Sequence, residues 1–287
     1  GFKVAGWITE LDRSEARLTD STKRLFVLPF GGAIGAMHAF GEKGREINQR
    51  LAIELGLDEM LLPGRAINDV FTEYLLQLSL LGMFIERVMT ESYTLIGQDF
   101  CELGERLDTG VIGSSTMPQK VNPKYVVPVA AKAAQLRGFG VSALEAGRTS
   151  HEGDPVANQI LYAVLDQVVP LAWKTSTGFA EALGRLTINR DVMAQRLSSV
   201  GSSVCAENLM MKLASIVGRG QAHDIVHHAL ETGGQDALYT DTRITNKLSS
   251  KEIKNALDPA NYLGDSVSIA KQAAKLAQEI AVRFQTV

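Results

Sequence analysis

The sequence predicts an all-α protein: a central bundle of long helices followed by a small C-terminal helical domain. Three observations carry that reading. Apolar residues recur at helical spacing over segments longer than three or four turns, no segment alternates apolar and polar residues as a half-buried strand does, and the one stretch dense in Gly, Pro and hydroxyl side chains lies between two helical segments.

Taken in order, Gly1 to Leu18 already reads as the interior of an amphipathic helix, with Val4, Ile8, Leu11 and Leu18 on one stripe. The expectation is therefore that an N-terminal part precedes these residues. Gly31, Gly32 and Gly35 resemble a dinucleotide-binding loop only superficially, since no strand precedes them and no acidic residue follows at the expected distance. They read as close helix packing. Asp69 to Gly97 sets Phe71, Leu75, Leu78, Ile85, Val88, Met89 and Ile96 on a broad stripe, which makes a rod of roughly 42 Å at 1.5 Å per residue. Pro155 to Leu183 is a second long helix, with Ile160, Leu161, Val164, Leu165, Val168 and Leu171 apolar and Pro170 the expected site of a kink. The stripe ends around Gly184 to Asp191 and shorter helices follow, so the boundary is placed near residue 186, giving a long-helix domain over 1–185 and a C-terminal domain over 186–287. Ser266 to Phe284 closes the chain with Ile269, Ala273, Leu276, Ile280 and Phe284 on one face.

Composition narrows the function. The chain of 287 residues carries 29 basic and 32 acidic side chains, a net charge of −3, which supplies no global attraction for nucleic acid or an anionic membrane. Any anion site must be local. Cys101 and Cys205 stand in neither a CxxC nor a metal-ligand spacing, which argues against a disulfide framework and for a reducing, cytoplasmic setting. No apolar run approaches the roughly 20 residues that span a bilayer.

Chemistry concentrates in residues 108–124, Asp-Thr-Gly-Val-Ile-Gly-Ser-Ser-Thr-Met-Pro-Gln-Lys-Val-Asn-Pro-Lys. Gly110 and Gly113 permit backbone conformations that other residues resist, and Pro118 and Pro123 forbid a helix interior, so this is a loop between helices. Its hydroxyls, lysine, amide side chain and backbone N–H groups suit an anionic, oxygen-rich ligand. On composition alone, a polar surface turn accounts for it equally well.

The run Gly113-Ser-Ser-Thr-Met-Pro-Gln-Lys-Val-Asn-Pro123 resembles the signature of the fumarase/aspartase superfamily, Gly-Ser-Ser-x-Met-Pro-x-Lys-x-Asn-Pro, at every fixed position. The resemblance extends through Leu28 to Gly35, the helix after Asp69, Ala206 to Met210, Gly218 to His223 and Leu257 to Gly264, and is nearest to the branch holding adenylosuccinate lyase and 3-carboxymuconate cycloisomerase, while Pro118 to Lys120 also resembles argininosuccinate lyase.

This resemblance implies a homotetramer on a bundle of long helices, with each active site shared between subunits, and a small dicarboxylate substrate. Members take a proton from the carbon beside a carboxylate and expel a group from the neighbouring carbon. By matching position, Ser114 is the implied base, Lys120 and Asn122 hold the substrate carboxylate, and Ser115, Thr116, Met117 and Gln119 line the same wall. A serine hydroxyl is a base only as an alkoxide stabilised by loop amides and a nearby cation, for which Lys120 is the candidate. No cofactor or metal is implied. The family's general acid is a histidine in a Thr-His segment, which does not occur here, so it is expected upstream of Gly1.

The chain departs from the family at two places. Many members carry glutamate where Val127 stands, and the cycloisomerase branch also lacks it; the arginine expected before the long helix is replaced in the pair Asn68-Asp69, and Arg65 reads as a surface arginine before it reads as a substitute contact to a substrate carboxylate. Elsewhere, Thr149 to Asp154 reads either as part of the active-site rim or as helix capping, and His223 with His227 reads as packed or solvated helix histidines before it reads as a metal site. The expected function is a carbon–nitrogen lyase that releases fumarate from an N-substituted aspartate, with a 3-carboxymuconate cycloisomerase or an inactive scaffold as alternatives.

Overall fold

A computed structural model describes residues 1–117 and 121–285 of the chain, without the side chains of residues 284 and 285. The chain divides into two compact units, Trp7–Ile188 and Gly1–Gly6 with Asn189–Val287. Helix α1, Phe2–Leu25, begins in the second unit and continues in the first.

The larger unit is organised by three helices: α3, Asp69–Ile96, α4, Val126–Gly138, and α6, Pro155–Arg185, with the short α5, Gly140–Gly147, beside them. The α3 stripe read from the sequence is the buried one, since Leu75, Leu78, Ile85, Val88 and Met89 are all buried. Leu75 and Leu78 pack with Leu136, Leu161, Val164 and Val168, while Phe84, Ile85, Val88 and Met89 pack with Val126, Val129, Ala133 and Phe179. The Phe84 and Phe179 rings meet edge to face, 5.8 Å between centroids. Helix α6 runs through Pro170, which is exposed.

Small residues set the helix spacing. A Cβ on Gly82 of α3 meets Ala133 O and the Arg137 N of α4 at 2.9 Å each, and one on Gly178 of α6 meets Val129 Cγ2 at 2.9 Å. Buried polar side chains then tie the helices in register. Thr72 Oγ1 donates to Ala143 O (3.0 Å), and Asn68 Nδ2 donates to Asn158 Oδ1 (3.1 Å) and to Ala146 O (3.3 Å), so these groups are satisfied without water.

Before α3, β1 (Val27–Leu28) pairs in parallel with β2 (Asp58–Glu59), with α2 (Gly44–Leu55) between them. Gly31 and Gly35 do mark a close approach, but between loops: a Cβ on Gly31 lies 2.6 Å from Pro63 Cγ, and Gly35, at φ +84°, abuts Gly64. The expectation of helix packing there is corrected. The left-handed backbone at Gly35, which a side chain would resist, lets these turns close on each other. After α3, β3 (Leu103–Glu105) pairs antiparallel with β4 (Leu186–Ile188), Glu105 opposite Leu186.

The second unit holds α7 (Arg190–Val200), α8 (Ala206–Val217), α9 (Arg219–Thr240), α10 (Thr242–Thr245), α11 (Ser250–Ala256) and α12 (Ser266–Gln285). Its core gathers Cys205, Leu209, Leu213, Ile225, Val226, Leu238, Ile244 and Ile253. Ser249 and Glu252 form a capping box at α11, and α9 breaks at Gly234, which takes φ 61°. On α12, Ala273 and Ile280 are buried but Ile269 is exposed, so the stripe read from sequence is only partly covered within this chain. The Phe284 side chain of that stripe lies outside the described residues.

The α3 to α4 spacing yields a first prediction. Gly82→Ala forces a methyl against backbone atoms that cannot rotate away, and should destabilise the protein by about 1–3 kcal/mol, read as a lowered urea midpoint. An unchanged midpoint would mean that the two helices are less tightly apposed than 2.9 Å implies.

Candidate functional site

The loop 108–124 connects β3 to α4, and its two stems are fastened by carboxylates. Glu105, the last residue of β3, reaches across to the first turn of α4. Its Oε1 accepts the N–H groups of Tyr125 (3.1 Å) and Val126 (2.9 Å), and its Oε2 accepts that of Lys124. A carboxylate at a helix N-terminus satisfies donors that have no partner within the helix and complements the helix dipole. Pro128 is tolerated here because it falls in the first turn.

A second tie lies beside it. Arg185, at the end of α6, binds Asp108 in bidentate fashion, with NH1 to Oδ1 at 2.8 Å and NH2 to Oδ2 at 3.0 Å. Its guanidinium stacks 3.9 Å from the Tyr125 ring centroid, and the Tyr125 hydroxyl donates to Asp108 Oδ2 at 2.5 Å. The Arg185 hydrogen bonds, and then that from Tyr125, hold the Asp108 carboxyl below its ordinary range, while the bond to Asp108 pushes the Tyr125 hydroxyl up. Arg185 also meets Glu181, and the neighbouring main chain is locked by Arg106 N donating to Arg185 O at 2.9 Å.

Inside these ties the loop closes on itself. Gly113 O accepts both the backbone N–H of Asn122 (3.1 Å) and its side-chain Nδ2 (3.2 Å). Ser114 follows at once, and its Oγ accepts the N–H groups of Met117 (3.1 Å) and Thr116 (3.4 Å). Two amide dipoles thus converge on the hydroxyl oxygen, an arrangement that favours negative charge on that atom. Ser114 and Asn122 are half-buried, whereas Ser115, Thr116 and Met117 are exposed. Gln119 and Lys120 lie outside the described residues. The structure therefore brings Ser114, Thr116, Met117 and Asn122 together around one closed turn, with Ile112, Met117 and Val121 presenting apolar surface beside it.

Other features resolve into local structure. Asp154 caps α6, accepting from Val156 N (3.0 Å) and Ala157 N (3.1 Å), and Ser150 braces the same carboxylate, so the capping reading describes this segment. His151 and Glu152 are exposed and adjacent at 3.3 Å, and Arg65 is exposed. His223 and His227 sit 5.7 Å apart between rings, each beside a carboxylate of its own helix. Among the described residues, no group of three or more His, Cys, Asp or Glu could hold a metal, and no helix is long and apolar enough to cross a membrane. Glu105, Tyr125 and Arg185 were invisible as loop anchors in the sequence, because each acts across a span that periodicity does not register.

The chain is similar to known proteins in sequence and in fold. Residues 1–138 match the lyase family model, and residues 203–273 match that of the adenylosuccinate lyase C-terminus. The chain is 30% identical over 270 residues to trans-aconitate decarboxylase 1 of Mycosarcoma maydis, covering 92% of this chain and 55% of that protein. It is 26% identical over 270 residues to N-acetyl-S-(2-succino)cysteine lyase of Enterococcus italicus, covering 92% and 59%. The solved 3-carboxy-cis,cis-muconate lactonizing enzyme of Pseudomonas putida superposes with a TM-score of 0.86 at 26% identity, over 98% of this chain and 64% of that one. The chain thus spans between 55% and 64% of the length of these relatives.

The Asp108 to Arg185 pair carries a pH signature. Because the folded carboxyl is held below the unfolded value of about 4, its contribution is complete above that pH and is lost as pH falls through the lower folded value. Asp108→Asn should lower the melting temperature at neutral pH, and the gap to wild type should close below about pH 4. A gap that persists undiminished at about pH 2 would show that Asp108 charge is not what anchors the loop.

Proposed function

Because the chain belongs to the fumarase/aspartase superfamily, we propose that the protein is a lyase that cleaves the carbon–nitrogen bond of an N-substituted aspartate and releases fumarate. The observation that carries this reading is the Ser114 turn, in which a hydroxyl oxygen receives the backbone N–H groups of Thr116 and Met117 beside the Asn122 to Gly113 O bond. Ser114, as the alkoxide, takes the proton from the carbon beside the substrate carboxylate. The electron pair left behind spreads onto that carboxylate, which becomes dianionic, and then re-forms as a carbon–carbon double bond while the C–N bond breaks and the amine leaves with its pair. A general acid supplies the proton to the leaving nitrogen. Donors aimed at the carboxylate count most when its charge has grown, so Asn122 and Lys120 stabilise the intermediate more than the substrate. Ser115, Thr116, Met117 and Gln119 complete the wall, and no cofactor takes part.

The exposed apolar residues Ile112, Met117 and Val121 around the turn support a site completed by other chains, as do Tyr162, Val169 and Trp173, exposed on one side of α6. The assembly is proposed to be a homotetramer in the cytoplasm, acting on a small dicarboxylate with neither nucleic acid nor membrane as partner. The division into a bundle domain over 1–185 and a C-terminal domain over 186–287 belongs to the same proposal, supported by separate cores on either side.

A second reading is cycloisomerisation of 3-carboxymuconate, favoured by Val127 and by the likeness to the muconate lactonizing enzyme. It draws on the same carboxylate recognition but yields no fumarate.

The test uses the full-length gene product with adenylosuccinate, argininosuccinate, N-acetyl-S-(2-succino)cysteine, 3-carboxy-cis,cis-muconate and trans-aconitate. Fumarate from an amino substrate, reduced at least about a thousandfold in Ser114→Ala, is the expected result. Consumption of the muconate without fumarate would replace the lyase by the cycloisomerase. Full activity in Ser114→Ala would remove Ser114 as the base.

A further inference from the structure

Among the described residues between 106 and 125, the loop that bears Ser114 shows no helix or strand, yet the chemistry proposed for it needs Ser114 and Asn122 held in place. The holding elements form a nested pair. Gly113 O takes two N–H groups from Asn122, which closes the inner turn. Outside it, the Glu105 carboxylate takes the N–H groups of Lys124, Tyr125 and Val126, which joins the strand entering the loop to the helix leaving it. Glu105 itself is fixed by the pairing of β3 with β4, where it stands opposite Leu186. Only one residue, Pro123, separates Asn122 from the first N–H that Glu105 accepts.

We propose that Glu105 is a positioning residue for the reaction: by clamping the first turn of α4 to β3 it sets where Asn122 lies, and through the Asn122 to Gly113 bonds it sets where Ser114 points. It touches neither substrate nor reacting atoms in this role. An ordinary helix cap would stabilise α4 and stop there; the difference is that the carboxylate belongs to the opposite stem of the loop, so its loss frees two stems rather than one helix end. Glutamine retains one acceptor oxygen for three donors and presents an amide to the rest, so Glu105→Gln should fall between wild type and Glu105→Ala.

The inference rests on the Ser114 loop being the site, and the experiment separates the two. Hydrogen exchange is followed on full-length wild type, Glu105→Gln and Glu105→Ala at the amides of Met117, Asn122 and Tyr125, with far-UV circular dichroism as the check on folding. In parallel, kcat and KM are measured on whichever of the five compounds above the wild type consumes. The expected result is faster exchange at Asn122 and Met117 as well as at Tyr125, and a kcat lowered by about tenfold or more in the alanine variant with KM within about threefold, glutamine being intermediate. Faster exchange confined to Tyr125, with kcat unchanged, would reduce Glu105 to a helix cap and overturn the proposal. If the wild type consumes none of the compounds, it is the lyase reading that fails, and exchange at Asn122 and Met117 still decides whether the clamp reaches the loop. If Glu105→Ala loses its helical signal, Glu105→Gln supplies the same comparison.

Discussion

At Gly82 the backbone of α3 runs so close to α4 that a methyl group has no room, and the placement of the candidate site follows from that contact. Helix α4 carries the far stem of the loop at its first turn, while α3 leads by way of residues 97–102 into the strand that carries the near stem. Setting the distance between these two helices therefore sets the distance between the stems. Burial of Phe84, Ile85, Val88 and Met89 against Val126, Val129 and Ala133 supplies the driving force, and the absent side chain at Gly82 sets how near the helices come.

On that frame the loop is secured by charge. Arg185 comes from the end of α6, Glu105 and Asp108 from the near stem, and Tyr125 from the far stem, so three separate elements converge within hydrogen-bonding distance. Each carboxylate meets either backbone donors or a guanidinium, in a part-exposed setting where desolvation costs little. The cation over the Tyr125 ring adds a contact that also restricts that side chain. Such a network contributes modestly to global stability. What it secures is local: it ties together the two stems between which Ser114 and Asn122 lie. The amides of Thr116 and Met117 then converge on a single hydroxyl oxygen through the turn alone.

Much of this was legible in the sequence. The α3 and α6 stripes were read correctly because burial on one face of a long helix writes itself into every third or fourth residue, and α3 begins and ends within a residue of where the pattern does. The signature around Ser114 was legible for a different reason: its residue types are dictated by chemistry and backbone conformation, not by what packs on them. The four strands among the described residues leave no signal in the sequence because two or three residues are too few to show a period. Gly31, Gly32 and Gly35 read in the sequence as helix packing, but in the fold Gly31 and Gly35 abut another loop and Gly32 meets nothing, since a glycine by itself does not say what its neighbour is.

The sequence by itself determined the helical class, the stripes that face inward and the location of the candidate chemistry, because each of these is a local property of spacing and side-chain type. Only the tertiary structure decided that Glu105 reaches Lys124 to Val126, that Arg185 meets Asp108, and that Asn122 closes onto Gly113 O. Those partners stand 9 to 77 residues apart in the chain, and a charged or amide side chain carries no mark of its partner until the packing of α3, α4 and α6 has brought the two within 3 Å or so.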